Sequence, residues 1–371
     1  MAVASVGLIP GVSAEVDPVA FLGPNAEILP VLSSSPNGTV VSSTCGTPIA
    51  FAGGEALEPV DVVLDPGHGG PETGSVGANG LTERTLNLAV ALHARDDLVS
   101  LGYTVALTRD RDLHLPIRQR AAIANALSPR AFVSIHHNGG AVRRSVTPGT
   151  ETFHQVDDPE SARLAGILFE DLHAAFAPYW VSWVDTVHQG ASVRLRDGRT
   201  ETYGVLRLTP DLNSAISEAL YLSNPSEAAL LAYPEIQAME GRTIAAAIHR
   251  FLTSEDPGLG FRPEFYDAHT TGTGTTSGCH DPELTPPTEV STGFTAEEYE
   301  TLSATAHLLG QSTDWVMRFG VHVLKFFGSL PDADPIRPLD EADRPDAYGL
   351  TRTQVQKLGA VLMAFLAGLE A

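Results

Sequence analysis

The residues best suited to chemistry in this chain of 371 residues sit where apolar runs stop. Val62-Val63-Leu64-Asp65-Pro66-Gly67-His68-Gly69-Gly70 is a β-branched run that breaks into a Gly/Pro turn carrying one histidine. Phe132-Val133-Ser134-Ile135-His136-His137-Asn138 ends a second apolar run in two histidines, and Ala215-Ile216-Ser217-Glu218-Ala219 places a glutamate at the end of a third. Leu81-Thr82-Glu83-Arg84 puts an acid at the entry of a helical pattern. Ligands of α/β sheets bind just beyond the carboxyl ends of the strands, so such groups are placed to meet. Two imidazoles and one carboxylate are the ligand set of a catalytic zinc, which keeps a position open for water. A second, unligated carboxylate is what such a site needs as its general base. His136 and His137 cannot both face one site on a continuing strand, because neighbouring side chains point to opposite faces.

The elements that must carry these groups follow from periodicity. From Val60 to Leu252 strand patterns alternate with helical ones. The strands are Val60 to Leu64, Tyr103 to Leu107, Phe132 to Ile135, Glu151 to His154 and Ala215 to Ala219. Leu86, Ala89, Val90 and Leu92 open one helix, Ile117, Ala121, Ala124 and Leu127 mark a second, and Ala165, Phe169, Leu172 and Phe176 a third. Asp158-Pro159 and Asn224-Pro225 each pair a capping side chain with a proline at the first helical position. Ile244, Ile248 and Phe251 mark the last helix of the region. This predicts an α/β fold with a mixed, mostly parallel sheet and helices on both faces.

The flanks differ in composition. Residues 1–59 form an extended leader rich in Pro, Gly, Ser and Thr, with one short β-like run at Thr39-Val40-Val41; its first 14 residues are apolar, end in small residues and lack a basic start, as a shortened signal sequence would. Residues 255–293 form a Thr/Gly/Pro-rich linker, and residues 294–371 a small all-helical C-terminal region of no evident role. The catalytic region is then 60–254. An apolar fraction of 43% supports a real core, and a net charge of -22 excludes nucleic acid, whose phosphates need Lys and Arg. No apolar run is long enough to span a bilayer. Cys45 and Cys279 are the two cysteines, too few for a disulfide scaffold or a Cys-rich zinc site. Export would expose them to oxidation, and they are expected to pair, tying the leader to the linker.

Taken in order, the motifs resemble the zinc-dependent N-acetylmuramoyl-L-alanine amidases that trim bacterial peptidoglycan. The resemblance rests on Asp65-Pro66-Gly67-His68-Gly69-Gly70, the Glu83 segment, Ser134-Ile135-His136 and Glu218 followed by Leu222-Ser223-Asn224. Thr108-Arg109-Asp110, Arg120 to Asn125 and Gly149-Thr150-Glu151-Thr152 also match, and together they cover residues 60–252. The resemblance implies His68, Glu83 and His136 as ligands of one Zn2+, Glu218 as catalytic base, peptidoglycan as the partner and an exported protein. The chain departs from the family pattern at Asn213, where a proline is usual, and at His137, where a small residue is usual.

Two rival readings remain: a cell-wall-binding relative without turnover, and a zinc hydrolase of another amide, such as a carboxypeptidase or deacetylase. Retention of Glu218 and all three ligands disfavours the first, and the order of the motifs the second. The other polar residues take plainer roles. Asp65 orients His68 or forms a turn, Glu151 belongs to a strand, and Arg109, Arg118 and Arg120 serve as a solvated face or structural ion pairs. His137 packs or supports the metal ligands from behind, His93, His173 and His249 lie on helices, and Asn138 and Asn224 fix turns and caps.

Overall fold

The computed structural model describes residues 18–267, apart from 36, 37, 52 and 186, and residues 279–281. The signal-like start and the helices expected after residue 293 lie outside them. The sequence predicts an extended leader for the first 59 residues. Within it the structure folds five strands: β1 (Ala20–Leu22), β2 (Ile28–Ser35), β3 (Gly38–Ser42), β4 (Pro48–Phe51) and β5 (Glu55–Leu57). They form an antiparallel sheet in the order β4-β3-β2-β1-β5. The local pattern hides this sheet because its apolar partners are distant in sequence. Ala20 and Ile28 pack in one cluster with Val63, Ile123 and Phe132.

The central sheet contains β6 (Val62–Pro66), β7 (Val105–Leu107), β8 (Ala131–Asn138), β10 (Glu151–His154), β12 (Gly190–Ser192) and β15 (Ser214–Tyr221). Their spatial order is β12-β10-β15-β8-β6-β7. The pairs are parallel except β10 with β15, so the sheet is mixed and mostly parallel, as expected. Helices α1 (Glu83–Ser100), α3 (Pro159–Phe176), α5 (Pro225–Leu231) and α6 (Pro234–Thr253) cover one face, and α2 (Ile117–Leu127) and α4 (Gly204–Arg207) the other. Alternation along the strands divides the core. Val62, Leu64, Val133, Ile135, Ala215 and Ala219 face the first set, while Val63, Phe132, Phe153 and Ile216 face the second.

Both expected caps form: the Asp158 side chain accepts from Ser161 N, and that of Asn224 from Ser226 N. Gly241 lets α6 approach α1 closely, since a Cβ there would lie 2.7 Å from the Val90 carbonyl oxygen. No helix among the described residues is long and apolar enough to cross a membrane.

Short strands β9 (Arg143–Ser145) and β11 (Trp183–Asp185) form a ribbon, and β13 (Arg194–Arg196), β14 (Thr200–Glu201) and β16 (Phe265–Tyr266) a small sheet. The first part of the expected linker therefore joins the body: β16 pairs with β13, and Arg262 N donates to the Ala191 carbonyl at 2.8 Å. Further on, Cys279 is bonded to Cys45, with their Cα atoms 5.7 Å apart, as the sequence reading expects. Asp281 fixes the join. Its carboxylate accepts from Ser43 Oγ at 2.9 Å, Thr44 Oγ1 at 3.0 Å and Cys45 N at 2.8 Å.

Candidate metal centre and active site

The loop after β6 delivers His68 in an unusual backbone state. Its φ is 61°, in the left-handed region that few residues other than glycine adopt. Several bonds hold it there. Gly67 N donates to the Ile135 carbonyl at 2.9 Å, and Arg120 Nη2 donates to the His68 carbonyl at 2.6 Å. Arg109 is 2% exposed and donates to the carbonyls of Pro66, Gly67 and Arg84. Arg120 is also ion-paired with Asp65 at 2.7 Å, and Thr108 Oγ1 and Ser134 Oγ donate to the same carboxylate. Burial works to raise the Asp65 carboxyl, but Arg120 and the two hydroxyls overcome it and hold it below its ordinary value. Asp65 thus secures the loop through Arg120 rather than through the His68 ring, and both Arg109 and Arg120 are structural.

His68, Glu83 and His136 converge at the mouth of β6 and β8. Glu83 Oε1 lies 3.1 Å from His68 Nε2 and 2.9 Å from His136 Nδ1. The three ligand atoms all lie within 4.8 Å of one another, so these side chains could hold a metal ion. A tetrahedral zinc with bonds of ~2.0–2.2 Å needs donors roughly 3.3–3.6 Å apart, close to this spacing. The donor chemistry fits as well. Burial, opposed by Glu83, lowers the His136 imidazole from its ordinary pKa, the direction that favours the neutral ring a ligand needs. Burial works to raise Glu83, but hydrogen bonds and charge from His136 and His68 keep it well below the usual carboxylate range. Two glycines make the approach feasible: a Cβ at Gly67 would lie 2.1 Å from the His136 ring, and one at Gly74 would lie 2.4 Å from Glu83 Oε2.

Glu218 stands beside this cluster because of register. On β15 it pairs with His136 of β8, and on its other side with Glu151 of β10. Glu218 shares its strand face with Ile216, and Glu151 with Phe153, so both carboxylates point to the α2 and α4 side. Glu218 lines a cavity of about 300 Å³ together with His68, Glu83, His136, Arg194 and Tyr203. Burial, then Glu83 and Glu151, push its carboxyl well above the ordinary range, and Arg194 opposes them. Its Oε2 atom is buried without a hydrogen-bond partner.

Glu151 is the influence that sequence reading missed. It is a strand residue, as expected, but it also presses on Glu218, while Asn138 Nδ2 donates to it at 2.7 Å and Tyr221 Oη at 3.1 Å. Its position two residues before Phe153 on the same strand carries the signal. The His137 side chain is fully buried and meets Glu240 of α6 and Asn87 of α1. His93 is exposed, and His249 pairs with the Tyr103 hydroxyl at 2.8 Å.

A family model described as N-acetylmuramoyl-L-alanine amidase (Amidase_3) matches residues 62–250. The N-acetylmuramoyl-L-alanine amidase AmiC of Neisseria meningitidis is 29% identical over 259 residues, covering 62% of this chain and 61% of that protein. The chain thus spans about three fifths of that relative's length. The uncharacterized protein YqiI of Bacillus subtilis is 33% identical over 213 residues, covering 56% of this chain and 94% of that protein. Among solved structures, an N-acetylmuramoyl-L-alanine amidase of Nostoc punctiforme is 28% identical with a TM-score of 0.44, covering 52% of this chain and 97% of that one. With its matched segment spanning the whole central sheet, the chain belongs to the N-acetylmuramoyl-L-alanine amidase family Amidase_3.

Proposed function

We propose that this protein is an exported zinc hydrolase that cleaves the amide between N-acetylmuramic acid and L-alanine in peptidoglycan. The observation that carries the reading is Glu218, a raised carboxylate with an unpartnered oxygen, lining the same cavity as His68, Glu83 and His136. Family membership supports the substrate class. Export accords with a substrate outside the cytoplasm and with the Cys45–Cys279 bond.

His68 Nε2, His136 Nδ1 and Glu83 Oε1 would hold one zinc. When bound, zinc supplies Lewis-acid polarisation and makes water acidic enough to deprotonate near neutrality. Glu218 takes the proton of the attacking water on its free Oε2. The same group then returns that proton to the departing alanine amine. The water oxygen first bonds to the carbonyl carbon, and the C–N bond then breaks as the nitrogen takes the proton held on Glu218, giving the lactyl acid, which ionises, and a free peptide amine. Asp65, Arg109 and Arg120 keep the His68 loop fixed throughout. Glu151 keeps negative charge beside Glu218.

The test is digestion of purified peptidoglycan by the intact chain, with release of new N-terminal alanine as readout. Activity is expected with zinc, lost on chelation and restored by zinc. Absence of new alanine amines, or release of another terminus, overturns the substrate; full activity after exhaustive chelation overturns the metal.

A further inference from the structure

Behind the candidate metal centre, on the opposite face of the sheet, lies a second polar cluster that the proposed reaction does not use. His137 and Glu240 both have fully buried side chains, with His137 Nε2 3.1 Å from Glu240 Oε2. His137 Nδ1 lies 2.8 Å from Asn87 Oδ1. Asn87 Nδ2 in turn donates to Glu83 Oε1 at 3.4 Å and to the Gly67 carbonyl at 3.3 Å. The backbone N–H of His137 donates to Glu83 Oε1 as well, at 3.2 Å. The groups run without a break from α6 through β8 and α1 to the central oxygen of the ligand cluster.

The hydrogen inventory fixes the direction of this chain of bonds. The Gly67 carbonyl and the Glu83 carboxylate are acceptors, so the Asn87 amide must turn its NH2 to them and its oxygen to His137. His137 must then carry a hydrogen on Nδ1. Glu240 stands at Nε2 and selects the ring orientation in which Nδ1 meets Asn87. The close α1–α6 packing at Gly241 places Glu240 there.

A buried histidine–carboxylate pair is weak evidence for stability, because well-packed apolar residues often replace such a pair without loss. Outer partners of metal ligands, by contrast, commonly set ligand orientation and affinity. We infer that Glu240, His137 and Asn87 form a positioning relay that orients Glu83 for the metal, with His137 as its centre. The inference rests on Glu83 being a metal ligand, as proposed above.

Zinc affinity of the folded, intact chain, read by competition with a chromophoric chelator, tests it. The visible spectrum of the cobalt-substituted protein reports ligand geometry independently of activity. His137→Ala and Glu240→Leu are expected to weaken zinc binding on the order of 10–100-fold and to change the cobalt spectrum. Glu240→Gln keeps a hydrogen-bonding group at Nε2, its amide offering a donor as well as an acceptor, and is expected to stay within about threefold of wild type, the rescue expected of an orienting hydrogen bond. Wild-type affinity and spectrum in a folded His137→Ala or Glu240→Leu protein would overturn the relay. So would failure of both variants to fold, which would assign the cluster to the core. If the unsubstituted chain binds no zinc, the metal reading itself fails, and the two failures are thereby distinguished.

Discussion

Four residues stand out by type and place, and the family resemblance selects them as the site. His68, Glu83, His136 and Glu218 stand at the ends of apolar runs or at a helix entry, and the fold brings all four to one cavity. Their surroundings were not legible. Glu151 acts on Glu218 only because β10 pairs antiparallel with β15, and no local pattern encodes which strands become neighbours. Residue-scale tests follow. Glu218→Gln is expected to keep zinc while turnover falls by roughly a hundredfold or more, the scale of lost acid–base catalysis; steady-state rates and elemental analysis check both halves. Gly67→Ala is expected to lose zinc, because its methyl would occupy the space of the His136 ring. Elemental analysis against wild type would show it. Glu201 offers a pH test away from the cavity chemistry. Burial, opposed by nearby backbone N–H groups and Arg207, raises its carboxyl to about 7. A group raised on folding contributes stability that is present below its unfolded pKa and lost as pH climbs through the folded one. Glu201→Gln cannot ionise, so relative to wild type it should gain about 2–3 kcal/mol between pH 5 and 8. Denaturant midpoints across that range provide the check.

At the scale of elements, alternation and 3.6-residue spacing found the central strands except β12, and the helices around them except the one-turn α4, and proline with a side-chain cap located two helix starts. Of the leader sheet only β3 shows in the sequence, as the run Thr39-Val40-Val41; the rest escaped because several of its strands span only a few residues and expose much of their length. Its burial comes from contacts beyond residue 60, such as Ser42 Oγ to Gln119 Oε1 of α2 at 2.7 Å. The loop between β6 and α1 owes its form to buried cations rather than to its own sequence. Asp65→Ala would leave Arg120 charged and unpaired in a site where that side chain is 5% exposed. A cost of roughly 3–5 kcal/mol is expected, the scale for breaking a buried pair. Thermal unfolding should show it, and zinc should be held more weakly as the His68 carbonyl loses its anchor.

At the scale of the molecule, the body extends past the span that carries the chemistry. The strand at Phe265–Tyr266 pairs with β13, and Ala20 and Ile28 share a core with Val63. A chain cut to residues 60–254 is therefore expected to unfold at lower denaturant than one of residues 18–281, even though every proposed chemical group remains. Replacing Cys45 and Cys279 by alanine should also destabilise, by at most ~5 kcal/mol in the chain-entropy model. The bond has a further consequence for fragments. It joins positions 234 residues apart, and all four proposed reactive groups fall between them. One protease cut anywhere in that interval opens a ring instead of severing a thread. The nicked protein would still migrate as one species on a non-reducing gel and fall into two only after thiol is added, so proteolytic damage to the catalytic body would stay invisible until the bridge was broken.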